Sequence, residues 1–492
     1  YYIPMNREFL SAIGIQTSEY TVRRKDNHAV IDRIQLSFGE RTPSIPRGSF
    51  GDSVDLENIL PLIAKVRIGS TLLRSNYPMY LIGDVPYICI DDTNDFPVSS
   101  IDILLKGLSG NKEVQPPPYY NVFDYIPESK FVRDQGSTQK CWAFAACSMF
   151  EIKIALEEGK FLNLSEDHLI EHCPVPADAL SGGNWGLSAS YLTKLLGPTS
   201  EGSPNSARLG YYIEEYTEVK GVEEIKKSIQ KNGAVLTSIY YGVESAKYYN
   251  HEKFAYYHSN DAHRPTHELI LVGWDDAYPR ENFKNPPPRD GAFIAMNSFG
   301  TNFGKRGFFY ISYYDDIATA TAFTIDSYNS HGNDFKVISK DRGGVTHFET
   351  VPYKRDLYAI AKFHIEDAAK IRGIGIYANG KSIVTAYYAK KMPTKESDLS
   401  FLGDTYFEKP GFKVIETFNN TGIHEDFYIV LKYTSPMAFS IPIEASYPGI
   451  TYGVFSEPGT NFLGYAEKGE IISIPLEEIK KDGSIVLRLF IQ

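Results

Sequence analysis

The stretch from Cys141 to Leu156 constrains the fold more than any other. It is apolar on almost every side and holds no Pro, which predicts a helix enclosed by its own domain rather than one with a single buried face. Downstream, Ser165 stands before Glu166 and Asp167, a good N-cap with acid in the first turn. Gly182-Gly183 marks a loop, and Val222 to Lys231 predicts another helix that Gly233 ends. The pattern then turns to strands at Ala234 to Ile239, Leu269 to Val272, Ala292 to Met296 and Gly307 to Ser312. Helices first and strands afterwards is an α+β order.

After about residue 331 the chain reads as all-β. Runs such as Ile374 to Tyr377, Ile383 to Tyr388 and Phe427 to Tyr433 are separated by turn residues, as in a sandwich or jelly roll. Before Pro116-Pro117-Pro118, which reads as a linker, the pattern is mixed; Leu60 to Val66 and Met79 to Ile82 fit strands or short helices. The predicted organisation is an N-terminal extension of mixed structure over 1–118, an α+β domain over 119–330 and a β-sandwich over 331–492.

The apolar and charged shares, 42% and 23%, are those of globular protein. A net charge of −11 and the lack of a long basic block speak against nucleic acid as a partner. No apolar run reaches the roughly 18 residues of a transmembrane helix. The four cysteines, Cys89, Cys141, Cys147 and Cys173, show neither CxxC pairs nor metal-ligand spacing, so no metal site is assigned. The chain opens on Tyr1, compatible with a removed signal peptide.

Cys141 opens the enclosed helix. A helix N-terminus carries partial positive charge and outward N–H groups, which favour the nucleophilic thiolate. Taken alone, such a cysteine is more often a small buried hydrophobe. Its surroundings alter that balance. Gln135-Gly136-Ser137-Thr138-Gln139-Lys140-Cys141-Trp142-Ala143-Phe144 resembles the active-site segment of papain-like cysteine peptidases. Thr266-His267-Glu268-Leu269 and Met296-Asn297-Ser298-Phe299-Gly300 follow in that family's order, with Leu164-Ser165-Glu166 and Gly182-Gly183 as further landmarks. The downstream His and Asn stand close to the family's separation of about 130–150 residues from the Cys.

The resemblance implies a two-lobed domain, one lobe helical and one β. It implies Cys141 as nucleophile, His267 as its base in a thiolate–imidazolium pair, Asn297 orienting the ring and Gln135 in the oxyanion hole. Gly182 and Gly183 would pair with substrate backbone, and Trp142 and Glu268 would contribute to substrate binding. No cofactor is implied for catalysis. The family's usual disulfide is absent, because Thr138 replaces its first cysteine. Lys140 stands before the nucleophile, as a positive charge at the cleft rim or a solvated side chain. Phe299 and Phe303 replace the family's tryptophans as a shield over the His–Asn bond. Glu268, where the family often has a small residue near the S2 wall, either selects a basic P2 side chain or faces solvent.

The C-terminal region is similar to the lectin-like domain of some bacterial, notably clostridial, cell-surface cysteine peptidases, on Ile371 to Ile376, Tyr387-Tyr388-Ala389, Phe427 to Tyr433 and Ile441 to Glu444. This implies a secreted or cell-surface monomer acting on protein or peptide, with structural calcium and contact to glycan or cell wall through the β region. The N-terminal extension is expected either as an inhibitory propeptide, making the chain a zymogen, or as a permanent module; the family's usual helical propeptide pattern is not found in it. The competing reading is a lectin-like adhesin or wall-binding protein whose peptidase domain is inactive.

Overall fold

The computed structural model describes residues 116–173, 182–202, 207–259, 262–350, 356–417, 422–435, 439–446 and 457–492, and the backbone of strands between Tyr2 and Leu104. The chain divides into two compact units, Tyr1–Gln115 and Pro116–Gln492. In the first unit, the two segments that fitted strand or helix are strands, Leu60–Ile68 and Met79–Ile82, paired antiparallel with Leu60 opposite Leu81.

The second unit begins with strand β1 (Tyr119–Asn121) and reaches helix α1 (Cys141–Glu158). The enclosed helix is there as expected: from Cys141 to Ala155 all of its residues except Phe144 are buried. It ends where Gly159 adopts a left-handed conformation, φ 68°, and donates its N–H to the Ala155 carbonyl at 3.0 Å. That conformation is open to glycine at little steric cost. Helix α2 (Glu166–Glu171) is capped by Ser165, whose side chain accepts the His168 N–H at 3.2 Å. Helix α3 (Trp185–Thr193), which the sequence pattern did not announce, starts at Asn184, whose side chain accepts the Leu187 N–H. These helices pack with Trp142, Phe150, Leu169 and Tyr191 into one core.

Strand β2 (Tyr212–Val219) and helix α4 (Val222–Asn232) lead into β3 (Val235–Ile239), β4 (His267–Asp275), β5 (Ala292–Met296), β6 (Phe308–Ser312) and β7 (Ala322–Asn329). Strand β4 is central: it pairs antiparallel with β3, β5 and β1. A Cβ on Gly273 would meet the Tyr120 carbonyl oxygen at 2.2 Å, so β1 can cross here only over glycine. Leu269, Leu271, Trp274 and Phe293 fill a second core beside α4.

Beyond β8 (Lys336–Ser339) the chain is a β-sandwich, as expected. Its organiser is β9 (Asp356–Ala378), a single strand of 23 residues. Strands β10 (Ser382–Ala389) and β11 (Ser400–Phe407) follow it; its first half pairs with β13 (Gly422–Thr434) and Asn461–Glu467, and its second half pairs with β12 (Gly411–Glu416) and Leu487–Ile491. One strand thus serves both sheets, over a core that includes Ile374, Phe427 and Leu489. Strand β2 also pairs with β12, placing Glu215 opposite Lys413. The α+β part and the β-sandwich are therefore joined edge to edge within one compact unit.

A buried ionic cluster fixes the same junction. Arg488 Nη2 lies 2.8 Å from Asp341 Oδ2, and Lys194 Nζ lies 3.0 Å from the same oxygen. Arg488 also donates to the Thr193 hydroxyl. The C-terminal end of α3 is in this way bound to the sandwich.

Candidate active site

Cys141, His267, Asn297 and Gln135 come from three separate segments, and the fold brings these segments together. Cys141 is the first residue of α1, 8% exposed. Burial pushes its thiol up, and the Glu268 backbone N–H, facing the sulfur, lowers it; the Glu268 carboxylate raises it, and the N–H groups of Trp142 and Cys141 lower it. The nucleophile candidate therefore sits against the residue that follows His267.

His267 opens β4 and is 6% exposed. Its Nε2 lies 2.8 Å from Asn297 Oδ1. That oxygen also accepts the Ser298 N–H at 2.9 Å. An amide oxygen only accepts, so Nε2 carries the proton and the neutral ring has Nδ1 as its acceptor. Burial pushes the imidazole down to about 4, against the raising effect of the Asn297 hydrogen bond. Both shifts run toward a neutral thiol and a neutral ring, not toward the thiolate–imidazolium pair expected from the sequence. Burial removes solvation from each charged form.

Phe299 lies over the imidazole with ring centroids 4.9 Å apart, and Phe303 packs on Phe299 at 5.4 Å. Tyr241 adds a third ring 5.5 Å from His267. Nothing in the sequence around Tyr241 marked it, since it reaches the site only through the β3–β4 pairing.

Gln135 ties the Cys and Asn segments together. Its N–H donates to the Ser298 carbonyl at 2.8 Å, and its Oε1 accepts from the Ser298 hydroxyl at 2.6 Å. Its Nε2 donates to the Thr138 carbonyl at 2.6 Å; the amide has a second N–H. Below this loop, Arg133 reaches the fully buried Glu151 at 2.6 Å and Glu166 at 3.1 Å. The landmark Glu166 is thus a support for the loop that carries Gln135. Lys140 is paired with Asp167.

Trp142, expected among the substrate-binding residues, is fully buried. It acts from beneath: a Cβ on the exposed Gly183 would lie 2.4 Å from its indole Cε2. Gly182 has φ 73°. The indole thus leaves no room for a side chain at Gly183. Cys173 is only partly buried.

Glu268 does not face solvent. Its Oε1 accepts the Trp185 N–H at 3.1 Å, and its Oε2 is buried without a partner. Burial pushes its carboxyl up to about 8, and the Trp185 N–H opposes this.

For the calcium implied by the resemblance, the described residues contain no group of three or more His, Cys, Asp or Glu placed to hold a metal ion. No helix of the described residues is long and apolar enough to cross a membrane.

Residues 123–327 match the family model described as papain family cysteine protease. Mouse procathepsin L is 23% identical over 214 residues, covering 39% of this chain and 61% of the relative; rat procathepsin L is 24% identical over 197 residues, covering 37% and 56%. The chain thus spans about three fifths of the length of these relatives. Among solved structures, the clostridial cysteine protease Cwp84 after propeptide cleavage superposes with a TM-score of 0.66 at 19% identity, covering 76% of this chain and 99% of that one. The cysteine protease and lectin-like domains of Cwp84, described as a surface layer associated protein of Clostridium difficile, give 0.64 at 19% identity, covering 76% and 89%. At this identity the likeness is one of fold: a papain-like domain followed by a lectin-like β-sandwich.

Proposed function

We propose that this chain, whose residues 123–327 form a papain-family cysteine protease domain, hydrolyses peptide bonds through Cys141, His267 and Asn297. The observation that carries the reading is the 2.8 Å bond from His267 to Asn297. With the proton on Nε2 toward Asn297, Nδ1 is free to serve as the base, and the thiol at the helix N-terminus faces the N–H of the next residue, Glu268.

His267 Nδ1 takes the thiol proton as the sulfur attacks the substrate carbonyl carbon. The resulting oxyanion accepts from the Cys141 N–H and the second N–H of the Gln135 side chain. The tetrahedral intermediate collapses, the C–N bond breaks, and His267 gives its proton to the leaving amine. A water, deprotonated by His267, then attacks the thioester carbon; the C–S bond breaks and the thiol is restored with release of the acid. Asn297 holds the ring in one plane and tautomer throughout, as the third member of such triads does.

The test is active-site titration of the full chain with an epoxide-type cysteine inhibitor, alongside hydrolysis of a peptide library. Stoichiometric labelling and turnover are expected, and both should vanish in Cys141→Ala. A protein that neither labels nor cleaves is the adhesin with an inactive protease domain.

An extracellular location and a zymogen form are proposed as extensions of this reading. Cwp84 is described as surface layer associated and as cleaved from a propeptide; the same location and a removable segment before Pro116 are proposed for this chain. Contact with glycan or wall polymer through the β-sandwich is proposed on the lectin-like fold alone.

A further inference from the structure

The connection between β3 and β4 and the turn after β6 hold a chain of four titratable side chains that the hydrolytic mechanism does not use. His258 is fully buried. Its Nδ1 lies 3.0 Å from Asp316 Oδ1, and its Nε2 lies 2.9 Å from His263 Nδ1. His263 Nε2 in turn stands 3.8 Å from Glu244 Oε2. A carboxylate only accepts, so His258 Nδ1 carries a proton, and in the neutral ring its Nε2 accepts from His263 Nδ1. The place left for one further proton is His263 Nε2, facing Glu244. A proton on His258 Nε2 instead would set N–H against N–H at 2.9 Å.

That further proton decides how His263 packs. The ring lies flat on Tyr240, with centroids 4.0 Å apart and planes 12° from parallel. As an imidazolium it is drawn both to the face of Tyr240 and to Glu244. As a neutral ring it turns a lone pair toward a carboxylate, and both attractions are lost.

Tyr240 is one peptide bond from Tyr241, whose ring packs on His267 at 5.5 Å and on Phe299 at 5.4 Å. The Tyr240 carbonyl accepts from the Tyr256 hydroxyl, and the Tyr241 N–H donates to the hydroxyl of Thr266, the residue before His267, at 2.8 Å. These two hydrogen bonds form a pivot, with one ring on each side of it. Tyr241 is 40% exposed, so packing alone holds only part of its ring. We propose that His258 and His263 are positioning residues of the hydrolytic site: the proton they share fixes Tyr240 and, through it, sets the Tyr241 ring against His267. Its kinetic readout rests on the peptidase reading.

The other titratable groups around the pair are Tyr248, 4.7 Å from His258 between ring centroids, Tyr256 beyond Tyr240, Lys247, which pairs with Glu244 at 3.0 Å, and Asp315. Asp315 accepts the backbone N–H groups of His258 at 3.1 Å and Ala318 at 2.8 Å. Burial pushes its carboxyl up to about 6, inside the range of about pH 5 to 8 in which histidines change charge. Substitutions at His263 leave Asp315 in place and so tell the two apart.

The experiment measures kcat and KM of the full chain on one peptide between about pH 5 and about pH 9, a span that covers histidine titration. His258 is fully buried, so the partly exposed His263 is the residue changed. In the parent chain kcat should fall about threefold across one ionisation as pH rises, with KM little moved. His263→Gln should stay on the low plateau throughout. His263→Arg, whose flat cation can lie on Tyr240 and face Glu244, should stay on the high one. Tyr241→Ala should lose the step. In parallel, histidine NMR of Cys141→Ala follows the His267 ring, whose titration should move up from about 4 when His263→Gln is added, because the ring gains water. A step that survives His263→Gln belongs to Asp315 or another group and overturns the proposal. So does an Arg variant that behaves like the Gln variant. A His267 titration that responds to His263, in a chain that cleaves nothing, sinks the peptidase reading and leaves the positioning role. Cleavage with a His267 titration indifferent to His263 does the reverse.

Discussion

Asn297 Oδ1 accepts from both His267 and Ser298, and this single atom decides which ring nitrogen carries the proton. The imidazole's position then sets the acid limb of activity. A protonated His267 cannot take the thiol proton, so activity falls as pH drops through its folded value. Burial pushes that value down to about 4. The acid limb of kcat/KM should therefore lie near 4, well below the ordinary histidine range; a limb at the ordinary value, in a pH profile on a P2-Leu substrate, would mean the ring is solvated in the working enzyme. The placement of Cys141, His267, Asn297 and Gln135 was legible because each stands in a short segment whose neighbours fix its local structure. The orientation of Glu268 was not. Alternation along β4 says only that it and His267 leave the strand on opposite sides. What lies on its side comes from Trp185 and from residues beyond 340, and nothing local encodes that.

At the scale of elements, the loop before α3 depends on a glycine pressed on the α1 indole. In Gly183→Ala the new Cβ would stand 2.4 Å from Trp142, and the indole, fully buried, has no room to withdraw. Overpacking of this kind costs about 1–3 kcal/mol; urea unfolding should show that loss, and kinetics a raised KM. Helix α1 was readable because its composition leaves no polar face. Helix α3 was not, because its stretch from Trp185 to Thr193 follows a glycine loop and mixes Ser with aromatics. Strand β2 was missed for a different reason: of its eight residues Tyr212, Ile213 and Val219 are buried and the rest half-buried, so its sequence lacks clean alternation. Its partners β7 and β12 define it.

For the whole of residues 116–492, the buried Asp341 holds the sandwich to α3. The cations of Arg488 and Lys194 keep its carboxyl well below the usual range, although burial acts the other way. In Asp341→Asn both cations lose their buried counter-charge. Breaking such a pair costs about 3–5 kcal/mol; denaturant unfolding should show a loss of that size, and an unchanged midpoint would mean that water reaches the cluster. The sandwich was legible as a fold class from its spaced β runs. Its union with the α+β part was not, since the β2–β12 pairing joins distant stretches and each reads as an ordinary strand. Helix α3 is held at both ends, by Glu268 at its first residue and by Arg488 and Asp341 around Thr193 and Lys194. It works as a tie-rod: a chain trimmed back to residue 330 would have one end of that rod cut loose, and slack there would be felt at Glu268, the residue after His267.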